Sequence, residues 1–220
     1  MQELILIRHA QASFGADNYD LLSDLGHTQS EWLGELLAGY GLKPDRLATG
    51  TLRRHKETLD GIRKAFGDLP ETEEYAGFNE YDFSGLLNAH HGGEAPEHLH
   101  KDQKAHFQAL RQTLAAWQRD EIDNPPEMFS EFASRVEDAR RKTCRPGAKR
   151  VLAVTSGGPI AEILGAALRM PLDSRVEFNM QVKNTSITRF IFNERVFYLH
   201  SFNETPHLDR LDRVAQRTYS

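Results

Sequence analysis

The sequence predicts an α/β protein with three layers, α/β/α, and two observations carry that expectation. Leu4-Ile5-Leu6-Ile7 and Val151-Leu152-Ala153-Val154 are short aliphatic runs bounded by polar residues, the pattern of strands buried on both faces. Helical periodicity follows each of them, so a β-α-β rhythm sits at both ends of the chain. A length of 220 residues suffices for one domain with a substantial core, or for one domain carrying an insertion. The expectation is a single domain over 1–220 with residues 86–146 as a cap insertion over one end of the sheet.

The elements follow in order. Residues 3–8 read as a central strand and 11–27 as a loop rich in Gly, Asp, Asn and Ser. A helix then runs to about Ala38 with Trp32, Leu33, Leu36 and Leu37 as its apolar stripe. Thr28 and Glu31 have capping-box spacing there, with Asp24 as a competing cap. Tyr40-Gly41 stops this helix, and Pro44-Asp45 turns into a short strand near Arg46–Thr49. Leu52 to Phe66 is a second helix, ended by Gly67 and Pro70, and 71–75 another strand. Residues 76–85 read as irregular, and His90 to Pro96 as an exposed loop. Segments 102–119 and 129–143 are helical, parted by Asn124-Pro125-Pro126. Arg150 to Thr155 is the second central strand. Pro159 suits the first turn of the helix after it, where a missing N–H costs nothing. Residues 175–180, 184–192 and 195–200 read as strands, with Asn193-Glu194 as a hairpin turn, and 209–220 as a frayed polar tail.

Charge and composition exclude several classes of partner. A net charge of −5, from 27 basic and 32 acidic residues, gives no global attraction to nucleic acid or to an anionic membrane. A local pair of arginines can still hold a small anion. The single cysteine, Cys144, excludes an internal disulfide and a cysteine metal cluster, and it fits a reducing compartment. The chain has no transmembrane run, and Leu4–Ile7 is too short for the apolar region of a signal peptide. A cytoplasmic location is expected.

Two places concentrate chemistry. Arg8-His9 sets a cation beside an imidazole at the carboxyl end of a buried strand, where open α/β sheets build sites. Thr155-Ser156-Gly157-Gly158 sets a small hydroxyl and two glycines between the other central strand and a helix start, which can present backbone N–H groups to an anion.

These places belong to an ordered series of blocks. Arg8-His9-Ala10 resembles the Arg-His-Gly signature of the histidine phosphatase superfamily, also called the phosphoglycerate mutase-like family. Gly50-Thr51-Leu52-Arg53-Arg54-His55-Lys56-Glu57-Thr58 resembles its Ser-Pro-Leu-x-Arg-Ala-x-x-Thr block, and Phe78-Asn79-Glu80-Tyr81-Asp82-Phe83 the block with its proton-handling acid. Thr155-Ser156-Gly157-Gly158 resembles Ser-His-Gly-Gly, with serine in the histidine position. Asn203-Glu204-Thr205-Pro206-His207-Leu208 is similar to a terminal Asn-x-Thr-x-His-Leu stretch. The resemblance spans almost the whole chain in family order. It implies a mixed central sheet flanked by helices, an inserted cap, and a reaction through phosphohistidine.

It also implies roles. His9 is the nucleophile, because a neutral imidazole can attack phosphorus and split one hard step into two. Arg8 and Arg54 clamp the phosphoryl oxygens, while Arg53, the adjacent helical position, faces solvent. Glu80 gives a proton to the leaving oxygen and later takes one from water, with Asp82 as the nearby alternative. Ser156, the Gly157 N–H and Gln11 complete the phosphate contacts, and Ser13, Phe14 and Gly15 line the entrance. Serine brings no charge to its position, and a loss of about 1.4 kcal/mol of transition-state stabilisation slows a reaction about tenfold. His55, His200 and His207 are candidates for a compensating group.

No metal ligand set and no cofactor motif is read: His90, His91, His98 and His100 are irregularly spaced and are expected to be exposed polar residues. Arg140-Arg141-Lys142 reads as a solvated helix end. The expected activity is metal-independent hydrolysis of a small phosphomonoester. A phosphoglycerate mutase and a catalytically weak phosphate- or phosphoprotein-binding module are the alternatives, and a homodimer is compatible with the sequence.

Overall fold

Leu4, Ile5, Leu6 and Ile7 are completely buried, as strand β1 (Gln2–Arg8) requires at the middle of a sheet covered on both faces. The computed structural model describes residues 1–13, 20–96, 99 and 103–219. Among the described residues the further strands are β2 (Arg46–Thr49), β3 (Thr72–Glu74), β4 (Arg150–Thr155), β5 (Ile187–Phe192) and β6 (Phe197–Glu204). They form one sheet in the order β3-β2-β4-β1-β5-β6. β1 to β4 run parallel, β5 pairs antiparallel with β1, and β6 antiparallel with β5, so the sheet is mixed.

Register fixes where a site can form. Arg8 lies opposite Thr155, and Thr49 opposite Val154, so the carboxyl ends of β1, β2 and β4 finish level. Chain reversal at a common edge exposes the loops after all three strands to one another.

Strand alternation builds the layers on either side. Ile5 and Ile7 point to the face covered by helices α1 (Asp24–Gly39) and α2 (Arg53–Arg63), where they join Leu33, Leu37, Leu59 and Ile62. Leu4 and Leu6 point the other way, toward Ile160, Ile163 and Leu164 of α6 (Gly157–Leu168) and Val176 of α7 (Leu172–Gln181). Truncating a leucine such as Leu6 to alanine at a position this tightly packed costs about 2–5 kcal/mol.

Between β3 and β4 the described chain forms a 3-10 turn (Ala76–Phe78) and helices α3 (Phe83–His90), α4 (Gln103–Gln118) and α5 (Phe129–Thr143). Aromatic rings hold this segment together: Tyr81 lies 5.3 Å from Trp117 and 5.7 Å from Phe132 between centroids, in tilted or edge contacts. Arg135 of α5 donates to the carbonyls of Gly77 and Asn79 at 3.2 and 2.8 Å, pinning the chain that leads into Glu80.

Several expectations need correction. α1 begins at Asp24, four residues before Thr28: Ser23 is the cap and its hydroxyl accepts from the Gly26 N–H at 3.0 Å. The hydroxyl of Thr28 donates back to the Asp24 carbonyl inside the helix. Residues 76–85 are ordered as the 3-10 turn and the start of α3, which the Asp82 carboxylate caps. Residues 175–180 are not a strand but part of α7. The alternation Arg175-Val176-Glu177-Phe178 mimics a strand, but Val176 is buried among α6 residues and Arg175 pairs with Glu162 at 2.6 Å, contacts that favour the helix. The strands expected at 184–192 and 195–200 are Ile187–Phe192 and Phe197–Glu204, joined by a turn closed by Asn193 N–H to the Val196 carbonyl. The tail is tied down, because Gln29 donates to the Gln216 carbonyl and Asn184 N–H to the Thr218 carbonyl.

Candidate active site

The loop after β1 is held by backbone and side-chain bonds from three directions. His9 N–H donates to the Thr155 carbonyl of β4, and Thr185 N–H to the Arg8 carbonyl. Asn184 Nδ2 donates to the His9 carbonyl at 3.0 Å. Ala10 N–H donates to Thr58 Oγ1 of α2 at 2.9 Å, and that hydroxyl in turn donates to the Arg54 carbonyl. His9 itself is buried, with Nδ1 2.8 Å from the Ala10 carbonyl. A carbonyl only accepts, so Nδ1 carries the proton and Nε2 carries the lone pair. Burial, and then the positive charges of Arg54 and Arg8, hold the His9 pKa well below the usual imidazole range. The ring is therefore neutral where an imidazole in water would titrate.

Both arginines are buried to more than nine-tenths, which is unusual for the residue type and requires partners. Arg8 donates from Nη1 to the carbonyls of Val182 and Tyr219. Arg54 Nη1 donates to Asp20 at 2.9 Å, and Asp20 also accepts the Arg53 N–H at the start of α2. Arg53 points outward and pairs with Glu57, as adjacent helical positions dictate.

Glu80 lies half-buried against the first turn of α6, where it accepts from the Gly158 N–H at 3.1 Å. A Cβ at residue 158 would stand 2.1 Å from Glu80 Oε1, so only glycine lets the carboxylate approach this closely. Burial raises the Glu80 pKa, opposed by the Gly158 hydrogen bond and by Arg54 and Arg8. Asp82, the alternative acid, is committed to capping α3 through the Gly85 N–H. Tyr81 Oη accepts from Asn179 of α7 at 2.7 Å, which braces the residue next to Glu80.

Ser156 is fully buried, as is His55 of α2, whose Nε2 lies 2.7 Å from Ser156 Oγ. The His55 ring is 5.6 Å from the His9 ring. Of the three histidines considered as compensating groups, His55 touches Ser156. His207 bonds instead to Thr185 Oγ1, and His200 is exposed on β6. Gly157 adjoins Arg8, whose Nε would lie 3.7 Å from a Cβ there.

The remaining expected site residues divide. Gln11 accepts from Ser23 Oγ at 2.8 Å and Ser13 donates to the Leu22 carbonyl, both at the base of the loop into α1. Phe14 and Gly15 lie outside the described residues, as do His98 and His100. His90 bonds to Thr113 and His91 to the Leu87 carbonyl. Among the described residues no group of three or more His, Cys, Asp or Glu is spaced to hold a metal ion, and no helix is long and apolar enough to cross a membrane. Arg140, Arg141 and Lys142 pair with Glu137 and Asp138 on their own helix. Sequence reasoning missed Asp20, Asn179 and Asn184. None of them stands in a motif block, and only the fold brings each to the site.

Comparison with known proteins places the chain in a family. The profile of the histidine phosphatase superfamily (branch 1) matches residues 4–205. A 2,3-bisphosphoglycerate-dependent phosphoglycerate mutase of Chelativorans sp. (strain BNC1) is 36% identical over 91 residues, covering 38% of this chain and 44% of that protein. One from Caulobacter vibrioides is 29% identical over 139 residues, covering 58% and 52%. The chain thus spans about half the length of the curated relatives it matches. Among solved structures, the α-ribazole phosphatase of Shigella flexneri superposes with a TM-score of 0.69 at 21% identity, covering 93% of this chain and 97% of that one. A phosphoserine phosphatase of Entamoeba histolytica bound to 3-phosphoglyceric acid gives 0.68 at 24%, covering 94% and 100%. These likenesses speak for the fold. With a family match over most of its length, the chain belongs to the histidine phosphatase superfamily.

Proposed function

We propose that this protein hydrolyses small phosphomonoesters through a phosphohistidine on His9. The observation that carries the reading is the 2.8 Å contact of His9 Nδ1 with the Ala10 carbonyl: it takes the ring's one proton and leaves the lone pair on Nε2, in a ring that feels the charges of the buried Arg54 and Arg8. In the first step that lone pair forms the N–P bond as the ester P–O bond breaks, and the leaving oxygen takes the proton of Glu80. Arg8 and Arg54 hold the equatorial phosphoryl oxygens, aided by Ser156 and the Gly157 N–H at the start of α6. In the second step the Glu80 carboxylate takes a proton from water, the water oxygen attacks phosphorus, and the N–P electron pair returns to Nε2.

Segment 86–146 acts in this reading as the cap that selects the alcohol portion of the substrate, anchored through Trp117, Phe129 and Phe132 to Tyr81. A reducing cytoplasm suits the chain in this reading, since its one cysteine cannot form an internal disulfide.

The test is release of inorganic phosphate from a phosphomonoester panel without added metal, for the native protein and His9→Ala, both confirmed folded. Native turnover, with acid-labile phosphate on the native protein alone, is expected. Phosphate binding without turnover would replace the hydrolase by a binding module. The names of the curated relatives favour a second reading, a mutase that returns the phosphoryl group to another hydroxyl. Labelled phosphoenzyme chased with 3-phosphoglycerate separates the two: the label goes to water in a hydrolase and to the acceptor in a mutase.

A further inference from the structure

Three departures from the family blocks lie in contact with one another. Gly50 stands where the second block has serine, His55 where it has alanine, and Ser156 where the fourth block has histidine. His55 Nε2 meets Ser156 Oγ at 2.7 Å. On the ring's other side, a Cβ at residue 50 would stand 2.1 Å from His55 Nδ1 and 2.7 Å from Cε1. A side chain at 50 would drive the imidazole away from Ser156. The glycine, the histidine and the serine therefore fit as a set, and the imidazole absent from the β4 side of the site enters from the α2 side.

The protons follow from the partners. Among the described residues His55 Nδ1 has no hydrogen-bond partner. A buried lone pair without a partner is tolerated better than a buried N–H without one, so the proton sits on Nε2 and His55 donates to Ser156 Oγ. The hydroxyl hydrogen of Ser156 is then left for another acceptor. Ser156 is the N-cap of α6, yet its side chain makes no capping bond to that helix. The neighbouring Gly157 packs beside Arg8, one of the two arginines that hold the phosphoryl oxygens in the proposed reaction.

We propose that His55 and Ser156 form an exchanged donor pair, in which Ser156 Oγ–H donates to a phosphoryl oxygen and His55 positions and polarises that hydroxyl through Nε2–H. This rests on the phosphoryl-transfer reading of His9, Arg8 and Arg54. Consecutive hydrogen bonds polarise one another in a dry site, which strengthens the terminal donor without placing a charge there. Burial and Arg54 hold the His55 pKa well below the usual imidazole range, in keeping with a neutral relay. Ser156 is the catalytic residue of the pair and His55 the positioning residue.

A double-mutant cycle tests it. Ser156→Ala should lower kcat about 10²-fold, the usual loss for one donor to a developing oxyanion, and His55→Ala about tenfold, with KM moving less than kcat in both. In the Ser156→Ala background, His55→Ala should cost nothing further. His55→Gln, whose amide can donate, should recover part of the His55→Ala loss, and His55→Ala with Ser156→His should exceed His55→Ala with Ser156→Ala. Effects that multiply, or a His55→Ala protein within twofold of native in kcat, overturn the pair.

Orthovanadate affinity, measured by calorimetry on the native, single-variant and double-variant (His55→Ala with Ser156→Ala) proteins, gives a readout independent of turnover. Coupled losses of vanadate affinity in a protein without turnover would sink the hydrolase and keep the pair. Native hydrolysis with equal vanadate affinity and equal kcat in all four proteins would sink the pair and keep the hydrolase. No vanadate binding and no turnover in the native protein would sink both.

Discussion

α2 and α6 both begin at the edge of the sheet where the candidate site lies, and they contribute in opposite ways. α2 is a polar helix that buries Arg54, His55 and Thr58 on the same inward side as Leu59 and Ile62. α6 is buried along its first nine residues, carries no acidic side chain in its first turn, and meets Glu80 through a backbone N–H. One helix offers side chains and the other offers main chain. The contrast teaches how a site can be hidden or visible. Buried cations on a helix's inner side violate ordinary patterning and mark function. A helix apolar but for one buried glutamate reads as core, although its first turn can act as an anion cradle.

The contrast is breakable. Arg54→Ala should have the largest effect, about 10³-fold in kcat/KM, and Arg54→Lys should restore only part because a point charge cannot reproduce the guanidinium fork. Steady-state kinetics on a folded variant decides it, and retained turnover would remove α2 from the site. Gly158→Ala tests α6. The added Cβ would press on Glu80 Oε1 at 2.1 Å and on the Tyr81 ring at 2.6 Å, so kcat should fall about 10²-fold. A variant that keeps half its turnover would show that the close approach is incidental.

Glu80→Gln sharpens the division between the two helices. Burial disfavours charge on both groups, so native kcat/KM should fall on the acid side well below the usual imidazole range, as His9 gains a proton. On the alkaline side it should fall above the usual carboxylate range, as Glu80 loses its proton. The glutamine variant should lose the alkaline limb, and it should slow an alkyl phosphate more than 4-nitrophenyl phosphate, whose leaving group needs no proton. An unchanged pH profile would assign the acid elsewhere.

Smaller effects lie away from both helices. His207, next to β6, has its pKa lowered to about 4, first by burial. Its folded pKa lies below the unfolded value near 6.5, so the unfolded chain binds more protons between those values. Stability present above about pH 6.5 should be lost progressively toward about pH 4, by roughly 3 kcal/mol. Thermal melts of native and His207→Gln proteins across that window should diverge in slope, and parallel curves would contradict it. Arg53→Ala should change least, within twofold in kcat/KM, because its exposed pair with Glu57 contributes about 0.5 kcal/mol or less. The neighbouring residues Arg53 and Arg54 would then differ by orders of magnitude across one peptide bond.

Much of the fold and the site is legible in the amino-acid pattern. β1 and β4 announce themselves because strands covered on both faces are continuously aliphatic, and α5 runs over 129–143, as its periodicity predicts. Arg8, His9, Arg54, Glu80 and Ser156 stand in ordered blocks, and the fold gathers them at one sheet edge. What the pattern hides depends on contacts between distant segments. α7 imitates a strand because a few alternating residues suit either period. The tail reads as frayed because carbonyls that accept from Arg8 and Gln29 leave no trace in side-chain identity. His55 is one of three histidines with an equal claim by sequence, and only the approach of α2 to β4 distinguishes it from His200 and His207.

The Tyr219 carbonyl that braces Arg8 has a consequence for biosynthesis. The two residues are 211 positions apart, so at about 5–20 residues per second a ribosome needs roughly 10–40 s between making one and making the other. Throughout that interval the arginine lacks one of its supports. A nascent chain can fold its central strands early, but this brace on Arg8 forms only after translation has passed residue 219.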